Sequence, residues 1–140
     1  MKIVVDTNVL VSATWWSGNP RELVRKASEG HVRLIVSDEM FAEYLDVVHG
    51  KKFSYIERRS LKEFIPLLIK WIEVRIAGPD PKVIADDPSD DKVLACAKAA
   101  RADLIVSGDA HLLALGRWAG IRIVSPREAV EMIERAGVRE

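Results

Sequence analysis

One cysteine, three histidines and no net charge: each of these scarcities in a chain of 140 residues removes a class of protein. A lone cysteine excludes an internal disulfide and any multi-cysteine zinc site. Cys96 stands among alanines in ACAKAA and reads as a small buried apolar residue rather than a reactive thiol. His31, His49 and His111 lack any metal-ligand spacing such as HExxH, so they read as surface or supporting residues and histidine catalysis is not favoured. Lysine plus arginine equals aspartate plus glutamate at 21 each, which argues against bulk electrostatic attraction to nucleic acid but leaves local patches open. No apolar run approaches the roughly 18 residues of a membrane span. MKIVVD opens the chain without the basic, apolar and small-residue succession of a signal peptide, so a cytoplasmic protein without membrane association is expected.

What is present is an ordinary globular composition, 49% hydrophobic and 30% charged, at a length typical of one domain spanning 1–140. The short apolar runs KIVVD, RLIVS, EVRI, DLIVS and IRIV alternate with longer stretches of helical spacing, which predicts an α/β fold with a parallel sheet and crossover helices. Asn19-Pro20-Arg21-Glu22 and Ser125-Pro126-Arg127-Glu128 each offer a capping side chain, a proline at N1 and a glutamate at N3, so both spell helix starts. Asp87-Pro88-Ser89-Asp90 repeats the theme and predicts a helix ending near Ala102. From Ser54 to Glu73, with Pro66 inside, two helical pieces or one kinked helix fit equally well. Proline and glycine collect in AGPDPKVIADDP, the best candidate for a mobile loop.

The carboxylates carry the functional signal. One apolar run, IVV, stops at Asp6, and another, LIVSG, leads into Asp109. Parallel strands present their carboxyl ends to a common crevice, so the two acids predict a shared acidic pocket suited to a divalent metal. Thr7 and Asn8 add oxygen-bearing side chains beside Asp6, while Ser107 and Gly108 let the chain turn before Asp109. For both aspartates the plainer alternative is a turn or helix cap. Ser37 can cap a helix on which Met40, Phe41, Tyr44, Leu45, Val47 and Val48 form one stripe, with Glu43 on its border and Asp46 turned to solvent. Asp90 precedes Val93, Leu94 and Ala97 at i+3, i+4 and i+7 and so faces the core side, whereas Asp91 is rotated outward; both also suit the positive end of a helix dipole. Between Asp80 and Asp91 there are five acids against only Lys82, while bases gather at Arg21 to Lys26, at Lys51 and Lys52, and at Arg58 to Lys62. Trp15 and Trp16 belong to a predicted loop, where they pack in a core or interface or stack a base; Trp71 and Trp118 read as core.

IVVDTNVLVS, Glu43 on its helix, DPSDDKVLACAKAARADLIVSGDAHLL and the IRIVSPREAV tail resemble, in that order and over nearly the whole chain, the PIN domain family, and within it the VapC-like toxin components of toxin–antitoxin pairs. Lys51 to Val83 carries no matching motif. The resemblance implies a three-layer α/β/α fold around a mainly parallel sheet of four to five strands. It also implies a ribonuclease in which Asp6, Glu43, Asp90 and Asp109 hold one or two Mg²⁺ or Mn²⁺ ions, with Asn8 and Ser107 in support and Asp91 as the alternate helix acid. Asp6, Asp90 and Asp109 are expected to ligate, and Glu43 to ligate or to orient the attacking water. The expected partners are single-stranded RNA, steered by bases such as Arg21, Arg25, Lys51 or Lys52, an antitoxin protein, and a second copy in a homodimer. Rival readings are a catalytically silent binding module, and a receiver or phosphatase-like phosphotransfer domain. A receiver lacks its adjacent acid pair here, and a phosphatase of that kind wants an acid where Asn8 stands.

Overall fold

A computed structural model of the chain describes residues 1–50, 58–76 and 88–138, with the backbone alone at 58–61, 88–90 and 138. Six strands form one sheet: β1 (Lys2–Val5), β2 (Arg33–Ser37), β3 (Ile72–Arg75), β4 (Leu104–Val106), β5 (Arg117–Trp118) and β6 (Ile121–Val124). Their order is β3-β2-β1-β4-β6-β5, and every pairing is parallel except β5 with β6. Seven helices connect and cover them: α1 (Thr7–Trp15), α2 (Asn19–Ser28), α3 (Asp38–Val48), α4 (Arg58–Trp71), α5 (Pro88–Ala100), α6 (Ala110–Leu115) and α7 (Pro126–Val138). The α/β expectation holds. All five apolar runs read from the sequence are strands; the central ones are continuously apolar because parallel strands are covered on both faces, and Ile3, Val4, Ile35, Val36, Ile105 and Val106 are fully buried.

The sheet exceeds the expected four to five strands by β5. Ala119 and Gly120 both take positive φ, at 51° and 80°, between Trp118 and Ile121, which pair across the turn. This is the two-residue hairpin geometry that Asn-Gly usually announces. Alanine at its first central position carries no such signal, so the short strand was invisible in the sequence.

Chain direction in the sheet matters most for function. From β1 the chain steps outward to β2 and β3, then returns to place β4 on the other flank of β1. With right-handed crossovers, the helices that follow β1 and β2 lie on one face and α5 on the other. The crevice between β1 and β4, above their carboxyl ends, is therefore the switch point where ligands of such sheets bind.

Several local expectations shift. Ser125 and Glu128 form the reciprocal capping box, the Glu128 amide donating to Ser125 Oγ at 3.2 Å and the Ser125 amide to Glu128 Oε1 at 3.4 Å. At α2 the box fails: Gly18 occupies the cap with φ 135°, Asn19 lies inside the helix, and Glu22 pairs with Arg25 instead. Trp15 ends α1, so for it the expected loop is helix, whereas Trp16 is the extended C-cap that opens the loop and is 55% exposed; Trp15, Trp71 and Trp118 are partly buried against the core. A single helix, α4, carries Pro66 in its interior. Ser54 and nearly all of the segment from Ala77 to Pro88 lie outside the described residues. Burial pushes the Cys96 thiol up to about 11, so it stays protonated and inert at neutral pH. Among the described residues no helix is long and apolar enough to cross a membrane.

One buried hydrogen bond ties α1 to α3. Thr14 Oγ1 gives its hydrogen to the Leu10 carbonyl at 2.8 Å, so the Tyr44 hydroxyl must be the donor in its 2.6 Å contact with Thr14. Both residues are fully buried. Tyr44→Phe keeps the ring and the Thr14 bond to Leu10 while deleting this link, and is expected to lower the unfolding free energy by about 1 kcal/mol in a urea titration.

Candidate active site

Register builds the centre of the site. Val5 pairs with Val106, and the Asp6 amide continues the ladder by donating to the Val106 carbonyl at 2.9 Å. Asp6 and Ser107 therefore leave the sheet side by side, although 101 residues separate them. Ser107 Oγ donates to Asp6 Oδ2 at 2.7 Å and accepts the Asp109 amide at 2.9 Å. A fully buried serine thus couples the two strand-end aspartates.

The two acids differ in what else they do. Asp109 caps α6, its Oδ1 accepting from the amides of His111 at 2.8 Å and Leu112 at 3.2 Å; the capping alternative holds for it, and Oδ2 takes no part. Asp6 occupies the N-cap position of α1 without any side-chain capping bond, so capping does not explain it. It is only 9% exposed and has no ion-pair partner among the described residues. Burial, above all, pushes its carboxyl above the ordinary value; the Ser107 hydroxyl and the nearby Asn8 and Thr7 amides pull it back, and the Asp109 charge pushes it up. That Asp109 is felt at Asp6 places both carboxylates in one electrostatic field.

Helix α3 forms the opposite wall. Ser37 caps it, its Oγ accepting the Met40 amide at 3.2 Å, as the sequence predicted. Glu43 then lines a crevice of about 360 Å³ with Asp6, Thr7, Asn8 and Val93. Asp46, expected to turn away, lines the same crevice; it follows Glu43 by one helical turn, and that i+3 spacing was the signal to find it. Val47, placed on the core stripe, is 41% exposed and also lines this crevice. A second crevice of about 430 Å³ holds Asp109, Gly108, Ser12 and Pro126. Asn8 borders both crevices.

Helix α5 corrects the phase argument. Asp91 is 5% exposed rather than turned outward. Val93 through Ala97 are all buried, so this helix has no narrow stripe from which a phase could be read; Asp91 shares a face with Leu94 and Ala95 at i+3 and i+4. Asp90 lies in the first turn of the helix, and its side chain is outside the described residues. Next to Asp91, Lys92 Nζ donates to Glu43 Oε1 across the gap between α5 and α3, a contact no sequence signal announced.

Two of the expected substrate bases are committed elsewhere. Arg21 donates to the carbonyls of Ala13 and Thr14 at 2.9 and 2.8 Å and stacks 5.2 Å over the Phe64 ring, so it finishes helix α1. Arg25 is held by Glu22 and Glu29. Lys51 and Lys52 lie outside the described residues.

This chain belongs to the PIN domain family, whose model matches residues 2–111, from β1 into α6. PIN domains are in general nucleases that use divalent metals. No curated protein matches the chain. The carboxylate and hydroxyl oxygens around Asp6 fit a hard cation in kind, and a buried carboxylate without a counter-ion is what such a cation would neutralise. Among the described residues, however, no three His, Cys, Asp or Glu side chains form a metal-holding group.

The raised Asp6 pKa has a signed consequence. The folded state favours the protonated acid, so this contribution to stability is complete below the ordinary value of 3.8 and lost as pH rises through the higher folded value. At neutral pH the ionised carboxylate is a cost. With chelator present, Asp6→Asn is therefore expected to melt above the wild type at pH 7, with the gap narrowing as the pH falls toward 4. A lower melting temperature for Asp6→Asn at pH 7 would contradict the electrostatic account.

Proposed function

We propose that this PIN domain is a Mg²⁺- or Mn²⁺-dependent endoribonuclease, residues 1–140 forming one cytoplasmic nuclease domain. The observation that carries the reading is the buried Asp6 carboxylate, without an ion-pair partner among the described residues, beside Asp109 at the sheet's switch point. One or two ions would be held by Asp6, Asp109 and an acid of α5, with Glu43 as a further ligand or as the group orienting the attacking water. On α5 that acid would be Asp90, preferred for its spacing, with Asp91, buried in the same helix, as the alternate. When bound, the metal supplies Lewis acidity to the scissile phosphodiester. Ser107 fixes the Asp6 carboxylate and the Asp109 backbone, and Asn8 orders the mouth of the crevice. Substrate would be single-stranded RNA. The sequence resemblance further supports a toxin of a toxin–antitoxin pair, acting as a homodimer and restrained by an antitoxin.

A second reading, a silent binding module, draws on a specific contact: the Lys92 ammonium already sits on Glu43, as a basic side chain of an antitoxin would. Cleavage decides between them. Purified protein with Mn²⁺ is expected to cut single-stranded RNA, and Asp6→Asn or Asp109→Asn to reduce the rate by at least about a hundredfold. Absence of cleavage across varied RNAs would favour the binding module. Metal binding has an independent readout, since Mn²⁺ at about 100 times its Kd should stabilise the wild type by about 2.7 kcal/mol. Asp6→Asn should show little of that gain.

A further inference from the structure

We propose that Lys92 is the residue that grips substrate phosphate in this site, held against Glu43 until RNA arrives; this rests on the reading of the crevice as an RNA site. The charge of the crevice demands such a residue. Asp6, Glu43 and Asp46 all line it, and Asp109 borders the adjoining crevice, so a phosphodiester chain approaches four carboxylates. Metal can offset them, but grip on a nucleic-acid backbone comes chiefly from lysine and arginine. Of the bases first expected to serve, Arg21 is bound to the carbonyls of Ala13 and Thr14, and Arg25, in surface pairs with Glu22 and Glu29, stands on α2, which contributes no residue to this crevice. Lys92 reaches the site from α5, between buried Asp91 and the crevice residue Val93, and its ammonium bonds to a crevice carboxylate.

The ion pair is ill suited to a purely structural task. Both side chains keep about a third of their surface exposed, 31% for Lys92 and 36% for Glu43, and pairs so wet contribute about 0–1 kcal/mol. A lysine there serves better as a movable charge: a compact ammonium on a four-carbon stem can leave one anion for another without rearranging the helix.

The test separates this from the function on which it rests. Binding of a fluorescent single-stranded RNA is followed by anisotropy in Asp6→Asn protein with Mg²⁺, so that cleavage does not intrude, and across a range of salt. Adding Lys92→Met is expected to weaken binding roughly three- to tenfold and to make the slope of log K against log salt shallower by about 0.7, the value of one phosphate contact on a single strand. Adding Lys92→Arg should keep both affinity and slope within about twofold, since it keeps the charge. RNA binding that is unchanged in affinity and slope by Lys92→Met overturns the role of Lys92 while leaving the nuclease reading to its own assay. Equal losses for Met and Arg, with a lowered melting temperature, would assign Lys92 to structure and overturn the proposal as well. Failure of the Asp6→Asn protein, with Lys92 intact, to bind an RNA that the wild type cleaves overturns the role of Lys92 alone.

Discussion

The pairing of β1 with β4 is the constraint on which the rest depends. Asp6 and Ser107 are neighbours only because Val5 and Val106 are in register, and a slip of one residue would turn every side chain of the strand to the opposite face. Such a slip would also drive apolar side chains out of a core in which Ile3, Val4, Ile105 and Val106 are fully buried. Hydrophobic burial, at about 25 cal/mol per Å² of apolar surface, therefore fixes the geometry of a polar site that contributes little to folding itself. The polar centre is positioned by the apolar sheet beneath it.

That dependence is what lets the molecule keep an ionised carboxylate where it is costly. Asp6 is desolvated, feels the charge of Asp109, and is partly compensated by one hydroxyl from Ser107 and by the start of α1. Glu43 is compensated differently, by an ammonium at the wet rim. The two acids thus represent two solutions to charge in a crevice, one held by the backbone and a buried hydroxyl, the other by a mobile cation. Only the second can be exchanged without disturbing the core, because Lys92 and Glu43 meet above the sheet rather than within it.

The strands and most helices were legible because burial writes continuous apolar runs and capping writes short polar signatures. The same reasoning put Asp6 and Asp109 at strand ends and Glu43 on the edge of an apolar stripe, and each lines a crevice above the sheet. It failed where burial is nearly continuous around a helix: from Val93 to Ala97 every residue is buried, and periodicity could not decide between Asp90 and Asp91. It failed again where a polar side chain is exposed yet lines a concave wall. Asp46 and solvent are not alternatives, because a crevice residue faces both. Lys92 was unreadable for a different reason, since its partner is 49 residues away and only the folded approach of α3 to α5 brings them together.

Zero net charge takes on a different meaning in this light. A chain whose bases were free on its surface would attract nucleic acid broadly, with binding that collapsed as salt rose. Here Arg25 is held in surface ion pairs, Arg33 by Glu73, and Arg21 is spent on helix carbonyls, so these three are engaged within the fold. At the crevice itself a base, Lys92, meets an acid, Glu43. Screening acts over about 8 Å at physiological ionic strength and is weaker for partly buried groups. A site built this way acts on an anion through a short-range, partly desolvated arrangement rather than through a long-range field.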